Sequence, residues 1–295
     1  MATVVVTGAS GFLGAHYLRY CHEHHPDWRI VAQVRSTPLG FSLPRVEPLT
    51  CDLTRPGASD VLASTAPDVI VHMAAAIMED DARQINAVMM QRVLEACRAV
   101  EARLVYVSSS QVHFSRLNQY ALSKIDDEKA AAESGIPHVA LRPAAPYGPL
   151  MADHLPAREQ SMHVLVNFVR KLPAVPVIGN GTYTRQPVHV DDFNHAINHF
   201  IASDRFDGTA YDIGGPRAHS MDEIIAILAR IAGKRVVPVH LPKQLFLLAA
   251  NVVKTFHKDL LSTTDCDERV DNRPLLQELG KESFVPFEEG ATTLF

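Results

Sequence analysis

The four cysteines, Cys21, Cys51, Cys97 and Cys266, lie far apart and none stands in a CxxC spacing. Neither a disulfide framework nor a zinc knuckle is indicated, and a reduced compartment fits best. No uninterrupted apolar run approaches the roughly 20 residues that a membrane helix needs. The best candidate, Leu245 to Val253, is far too short, so no membrane partner is expected. A basic, then apolar, then cleavable opening is also missing: strand-like residues begin at Thr3, which argues for a cytoplasmic protein. Basic residues are scattered and the formal charge is −5, which removes the main reason to expect nucleic acid. His22, Glu23, His24 and His25 read as the solvated end of a helix before Pro26, so no metal site is assigned. The remaining partner class is a small molecule.

What is present is a rhythm. The 295 residues are 47% apolar, ample for a real core. Through the first 145 residues, short β-rich runs at Thr3–Thr7, Arg29–Val34, Val46–Cys51, Asp68–Met73, Arg103–Ser108 and His138–Arg142 alternate with longer amphipathic stretches. Helices are expected near Phe12–Glu23, Ala58–Ser64, Arg83–Val100 and Tyr120–Glu133. Continuously apolar runs such as "DVIVHM" imply strands buried on both faces, as in a parallel sheet. The expected fold is α/β, a doubly wound parallel sheet of the Rossmann type with a smaller C-terminal substrate lobe. The dinucleotide-binding domain is placed at 1–149, with 187–214 returning to it, and the lobe at 150–186 and 215–295. Within the lobe a helix is expected at Ser161–Lys171. "PVHVDDFNHAINHFI" reads as a strand and then a helix started by Asp191 or Asp192, "GTAYDIGG" as a further strand, and Leu241–Val253 as a packing helix.

The opening "VVVTGASGFLG" places Gly8, Ser10, Gly11 and Gly14 between a buried strand and an amphipathic helix. A phosphate cradle needs a tight turn, a close backbone and the positive end of a helix, and the three glycines supply all of them. The spacing GxxGxxG differs from the usual GxGxxG, and its context within a repeating strand–helix unit carries the reading of dinucleotide binding. An acid closing the second strand would bind the ribose 2′-OH and repel a 2′-phosphate. From Trp28 to Val46 there is none; "VAQVRST" instead puts Arg35 at the strand tip with Ser36 and Thr37 beside it. A guanidinium grips a phosphate bidentately, so NADP(H) is favoured and NAD(H) remains possible. Asp52, followed by Leu53 in "CDL", is placed to meet the adenine or to form an ordinary turn.

Further along, "LVYVSSSQVH" ends a strand in three serines, and "QYALSK" follows. Tyr120 and Lys124 are one helical turn apart on one face. A neighbouring cation lowers a phenol's pKa from its usual ~10, which suits Tyr120 to proton transfer.

"TGASGFLG", "HMAAA" at 72–76, "VSSSQV", "YALSK", "RPAAPYGP" at 142–149 and "TRQPVHVDD" at 184–192 stand in an order that resembles the extended short-chain dehydrogenases/reductases, the NAD(P)-dependent epimerase/dehydratase family. The likeness runs to "LQELG" at 276–280. It implies a Ser/Tyr/Lys triad of Ser109, Tyr120 and Lys124, Ser110 being the other serine that could serve. It also implies pyrophosphate contacts from the amides of Phe12 and Leu13, Lys124 on the nicotinamide ribose, and cofactor contacts at Ala74 and Pro143. On the substrate side it points to Ser110, His113 and Arg185. Arg185 matches the position that holds a diphosphate in sugar-nucleotide enzymes; pairing with Asp191 or Asp192 is the structural alternative. Val112, His113 and Phe114 replace the family's "VYG", and only ten residues separate Ser109 from Tyr120. The expected function is NADP(H)-dependent reduction of a carbonyl, or oxidation of the alcohol, on a small molecule such as a nucleotide-linked keto sugar. Alternatives are an NAD-retaining sugar-nucleotide epimerase or dehydratase and a non-catalytic dinucleotide-binding protein. Helices 83–100 and 120–133 resemble those that pair in the family's homodimers.

Overall fold

The computed structural model describes residues 2–77, 79, 81–150, 161–249 and 258–295. Its centre is a seven-stranded sheet in the order β3-β2-β1-β4-β5-β6-β9, with every described strand pair in it parallel. The strands are β1 (Thr3–Thr7), β2 (Arg29–Val34), β3 (Val46–Thr50), β4 (Val69–His72), β5 (Arg103–Val107), β6 (His138–Pro143) and β9 (Asp207–Ile213). β1 lies inside the sheet, Val5 opposite Val31 on one side and Ile70 on the other. The chain runs outward from β1 to β3 and then returns to start β4 on β1's other flank. The carboxyl ends of β1 and β4 therefore flank a switch point, where ligands of open α/β sheets bind.

Alternating side chains build two cores. Val4 and Val6 face α1 (Phe12–His24) and α6 (Val190–Ser203), packing with Tyr17, Leu18, Phe193 and Phe200. Val5 and Ile70 face α2 (Ala58–Ala63), α3 (Ala82–Val100) and α4 (Gln119–Glu133), packing with Leu62, Met90, Val93 and Ala131. Each fully buried large side chain contributes about 1.5–3 kcal/mol.

A third core, including Tyr147, Val166, Val177, Ile224, Leu228 and Phe287, lies beyond the sheet. It joins α5 (Ser161–Lys171), α7 (Met221–Ile231), and β7 (Ala174–Ile178) paired in parallel with β11 (Val237–Leu241). β8 (Thr184–Arg185) pairs antiparallel with β10 (His219–Ser220). α7 carries a reciprocal cap: Glu223 N–H donates to the Ser220 hydroxyl oxygen and Ser220 N–H to the Glu223 carboxylate.

Two local expectations differ from the structure. "PVHV" forms a single bridge, Tyr147 to His189, because the chain turns into α6 at Val190 before a ladder can extend. His189 caps that helix, its ring accepting from Asp191 N–H, while Asp191 and Asp192 occupy the first turn and favour the positive helix end. In the stretch expected as a packing helix, α8 (Lys243–Ala249) leaves Leu245 and Leu248 half or more exposed; residues 250–257 lie outside the described residues.

The C-terminal segment comes back to the sheet: Leu275, on α10 (Arg273–Leu279), and Phe284 pack in the first core, although they fall in the stretch 215–295 assigned to the lobe. Asp192 fastens that return, accepting from Lys281 Nζ at 3.1 Å and Val285 N–H at 2.7 Å. Asp192→Ala orphans both donors, and an equilibrium denaturant titration is expected to show a loss of about 1–3 kcal/mol.

Candidate active site

The turn after β1 is held by backbone proximity. Gly8 has φ +65°, and a Cβ there would lie 2.7 Å from the Ala74 backbone, while one on Gly14 would lie 2.5 Å from Gly8 O. Gly8 N–H donates to Gln33 Oε1 at 3.1 Å, and Gln33 Nε2 donates to Cys51 O, so one buried amide ties the turn to β2 and β3. Thr7 Oγ1 accepts from the N–H groups of Met73 and Ala74 and lies 2.7 Å from His72 Nδ1. Burial, helped by Lys124, pushes His72 down to about 3. The ring is therefore neutral and Nδ1 accepts the Thr7 proton.

α1 opens on Gly11 with no side-chain cap and no acid in its first turn. Its first amides and the positive helix end are left for an anion, and the close-packed turn brings that anion onto backbone. These residues fit a dinucleotide's pyrophosphate, with Ser10, Gly11, Phe12 and Leu13 around it. Arg35 is exposed just past β2, and among the described residues it has no ion pair. Ser36 is exposed beside it. Asp52 is engaged as a turn residue: Oδ1 accepts from Thr54 N–H and Oγ1, bonds that hold its carboxyl below the usual range, with lesser help from Arg55 and Arg35. Leu53 is buried in the second core, and Pro143 closes β6.

Past β5 the three serines diverge. Ser108 donates to Glu128 Oε1 at 2.5 Å and Ser110 donates to Glu268 Oε1 at 2.5 Å. Ser109 alone among them acts on the Tyr120 phenol, favouring its ionised form, and its Oγ accepts Gln111 N–H at 3.3 Å. Asn118 begins α4 by accepting Ala121 N–H, which sets Tyr120 in the first turn, half-buried, and Lys124 one turn on, buried. Lys124 Nζ donates to Val107 O at 2.8 Å and lies 5.6 Å from the Tyr120 ring centre. The expectation that this ammonium lowers the phenol is not met: burial pushes Tyr120 up to about 12, outweighing the effect of Ser109, with Asp127 adding to the rise. Burial also pushes Lys124 down to about 8.

On the substrate side Arg185 pairs with neither Asp191 nor Asp192. Its Nη1 donates to the carbonyls of Thr184 and Cys266 and its Nη2 to that of Thr264, at 2.6–2.8 Å, with the guanidinium near the rings of Phe114 and Tyr183. His113 is exposed, its Nε2 2.9 Å from Asp212 Oδ1 on β9. Three site residues were missed by the sequence reading. Gln33 had a signal, a polar residue interrupting a buried strand. Asn86, which joins Ala76 to Ser123 through its side-chain amide, and Glu268, buried behind Ser110 with burial pushing its carboxyl up, had none. Their partners stand far away in sequence.

Gly8→Ala forces a strained φ against the Ala74 backbone, worth about 1–3 kcal/mol. Fluorescence titration with NADPH and NADH is expected to show both affinities falling by roughly tenfold or more.

The model of the NAD dependent epimerase/dehydratase family matches residues 4–214. A ceramide reductase of Caulobacter vibrioides is 28% identical over 99% of this chain and 90% of its own length. An uncharacterised UDP-glucose epimerase of Bacillus subtilis is 24% identical over 79% of this chain and 83% of its own. In fold, the chain is similar to dTDP-glucose 4,6-dehydratase from Bacillus anthracis in complex with NAD, with a TM-score of 0.80 at 19% identity, covering 99% of this chain and 94% of that one. With a match over most of its length and a glycine turn built for a dinucleotide, the chain belongs to the NAD dependent epimerase/dehydratase family and is an NAD(P)-dependent enzyme of the extended short-chain dehydrogenase/reductase type.

Proposed function

We propose that the protein reduces a ketone carbonyl with NADPH, Tyr120 donating the proton and Ser109 holding the carbonyl oxygen. The observation that carries this reading is the placement of the Tyr120 phenol in the first turn of α4, with Lys124 one turn on and 5.6 Å from its ring centre. A phenol pushed up to about 12 is neutral across the physiological range, a poor base but a ready donor to an alkoxide, which is far more basic. Ser109, at the tip of β5 and near enough to act on this phenol, supplies a second hydroxyl where developing oxyanion charge is to be stabilised. The reduced nicotinamide supplies the hydride when bound. Toward that cofactor, the amides of Phe12 and Leu13 would hold the pyrophosphate, Lys124 the nicotinamide ribose, and Arg35 a 2′-phosphate with no acid nearby on β2 to oppose it.

Two ketone classes suit this site: a nucleotide-linked keto sugar, as the UDP-glucose epimerase relative suggests, and a ketone without a diphosphate. Arg185 gives three of its five N–H groups to backbone carbonyls, which fixes the guanidinium and leaves two donors for a ligand oxygen. The ceramide reductase, whose similarity spans nearly the whole chain, agrees with a carbonyl substrate that carries no diphosphate. The second reading, a nucleotide-sugar epimerase or dehydratase with retained NAD, is supported by the UDP-glucose epimerase relative.

Absorbance assays with NADPH and a panel of long-chain and small ketones are expected to give turnover. Tyr120→Phe should lower it by roughly 10² or more, the scale of a lost general acid, with NADPH affinity near wild type. Arg35→Ala is expected to weaken NADPH far more than NADH. A purified sample that carries its own NAD and is stabilised against heat by UDP would favour the second reading instead.

A further inference from the structure

We propose that Asp127 is a positioning residue of this active site: with the Tyr106 hydroxyl that binds it, Asp127 supplies the counter-charge that keeps the buried Lys124 ammonium cationic. The inference rests on the reading of Lys124 as a working cation of the site.

Tyr120, Lys124 and Asp127 follow at i, i+4 and i+7, on one face of α4. Lys124 and Asp127 are 2% and 3% exposed. A buried ammonium costs several kcal/mol unless an opposite charge answers it, yet among the described residues no carboxylate stands within 4 Å of Lys124 Nζ. Its polar contact is the Val107 carbonyl, and the Tyr106 ring centre lies 4.8 Å away. Three acids follow it on α4. Asp126 is exposed and forked by Arg83. Glu128 spends both oxygens on Arg142 and receives Ser108 as well. Asp127 meets no guanidinium: its Oδ2 accepts the Tyr106 hydroxyl at 2.8 Å. Asp127 is therefore the larger of the two carboxylate charges that answer Lys124, ahead of Glu128, which is shared with Arg142.

The other surroundings do not compete for it. Tyr106 reaches over from β5, stacked on the neutral His72 ring of β4 at 5.9 Å. α3 presents Met90 and Leu94 to the same cleft, with Glu95 and Arg98 further along it; Glu95 is bound by Arg92. Geometry and titration agree. Burial pushes Asp127 up to about 6 and Lys124 down to about 8, and each charge acts back to keep the other ionised. Lys124 thus bears its charge below about 8 and loses it as pH rises through that value. Asp127 bears its own above about 6 and loses it as pH falls. Between the two, both are charged.

The test needs neither substrate nor cofactor, so it is independent of whether any ketone is reduced. Lysine labelled with ¹³C at Cε is followed by NMR across pH in the full chain, Lys124 being assigned by its loss in Lys124→Met. The wild type is expected to titrate near 8, with an earlier inflection near 6 as Asp127 gains its proton. Asp127→Asn should move the Lys124 midpoint down by about one to two pH units, the scale of one nearby charge in an effective dielectric near 20, and Asp127→Glu should restore most of it. A folded Asp127→Asn with the midpoint unmoved, even if it melts earlier, overturns the proposal. If that variant does not fold, a wild-type Lys124 signal with no inflection near 6 overturns it equally.

Discussion

Enclosing charge at the carboxyl end of a parallel sheet is expensive, and the arrangement around α4 is organised by that cost. Lys124 and Asp127 lie inside the protein, and an unanswered charge there would be penalised by several kcal/mol, a large share of the margin by which a domain is stable. The response is a set of shared polar contacts that also works as scaffolding. Ser108, Glu128, Arg142, Asp212 and His113 form one chain running from β5 through α4 to β6 and β9, anchored by the Arg142 fork on Glu128. The Glu128 hydrogen bonds keep the guanidinium firmly protonated. A helix fixed to three strands in this way holds its first turn still, and that turn carries the phenol. Rigid support of this kind is what a proton donor needs if it is to be in place before reaction.

The opposite wall follows a complementary rule. Around the first turn of α1 the structure withholds side chains: glycines let Gly8 rest against Ala74 and Gly14 against Gly8, and no cap or acid closes the helix. Positive backbone dipole is left open at one wall while side-chain charge is spent internally at the other. Thr7 and Gln33 join the two by bonding the turn to β4 and to β3.

Much of this was legible in the residues. β1, β2, β4, β5 and β6 are short β-rich runs bounded by turn residues, and their burial on both faces produces the signal that identifies them. The glycine turn and the Tyr–Lys face of α4 are local patterns, readable because their partners lie within one helical turn or one loop. β7, β8, β10 and β11 were not foreseen: two are only two residues long, and β11 contains a proline and leaves Val237 and Val239 in solvent. Arg185 illustrates a different limit. Whether its guanidinium faces a ligand or a carbonyl is decided by residues 264–266, about eighty positions on, and no local pattern carries that information. Twice that distance, 158 positions, hides Glu268 behind Ser110. Tyr120 shows a third: adjacency of a lysine was evident, while the burial that outweighs it depends on how the whole edge closes.

The return of the C-terminal segment to the sheet bears on biosynthesis. Phe284 and Leu275 complete the core that Val4 and Val6 begin, and the Asp192 clamp closes only on Lys281 and Val285. During synthesis the hydrophobic face begun by Val4 and Val6 stays unfinished until residues 275–285 have emerged. Contacts spanning some 280 positions make closure late and slow. Without residues 275–285 this core of the seven-stranded sheet would lack its cover, so a segment far downstream in the chain latches β1.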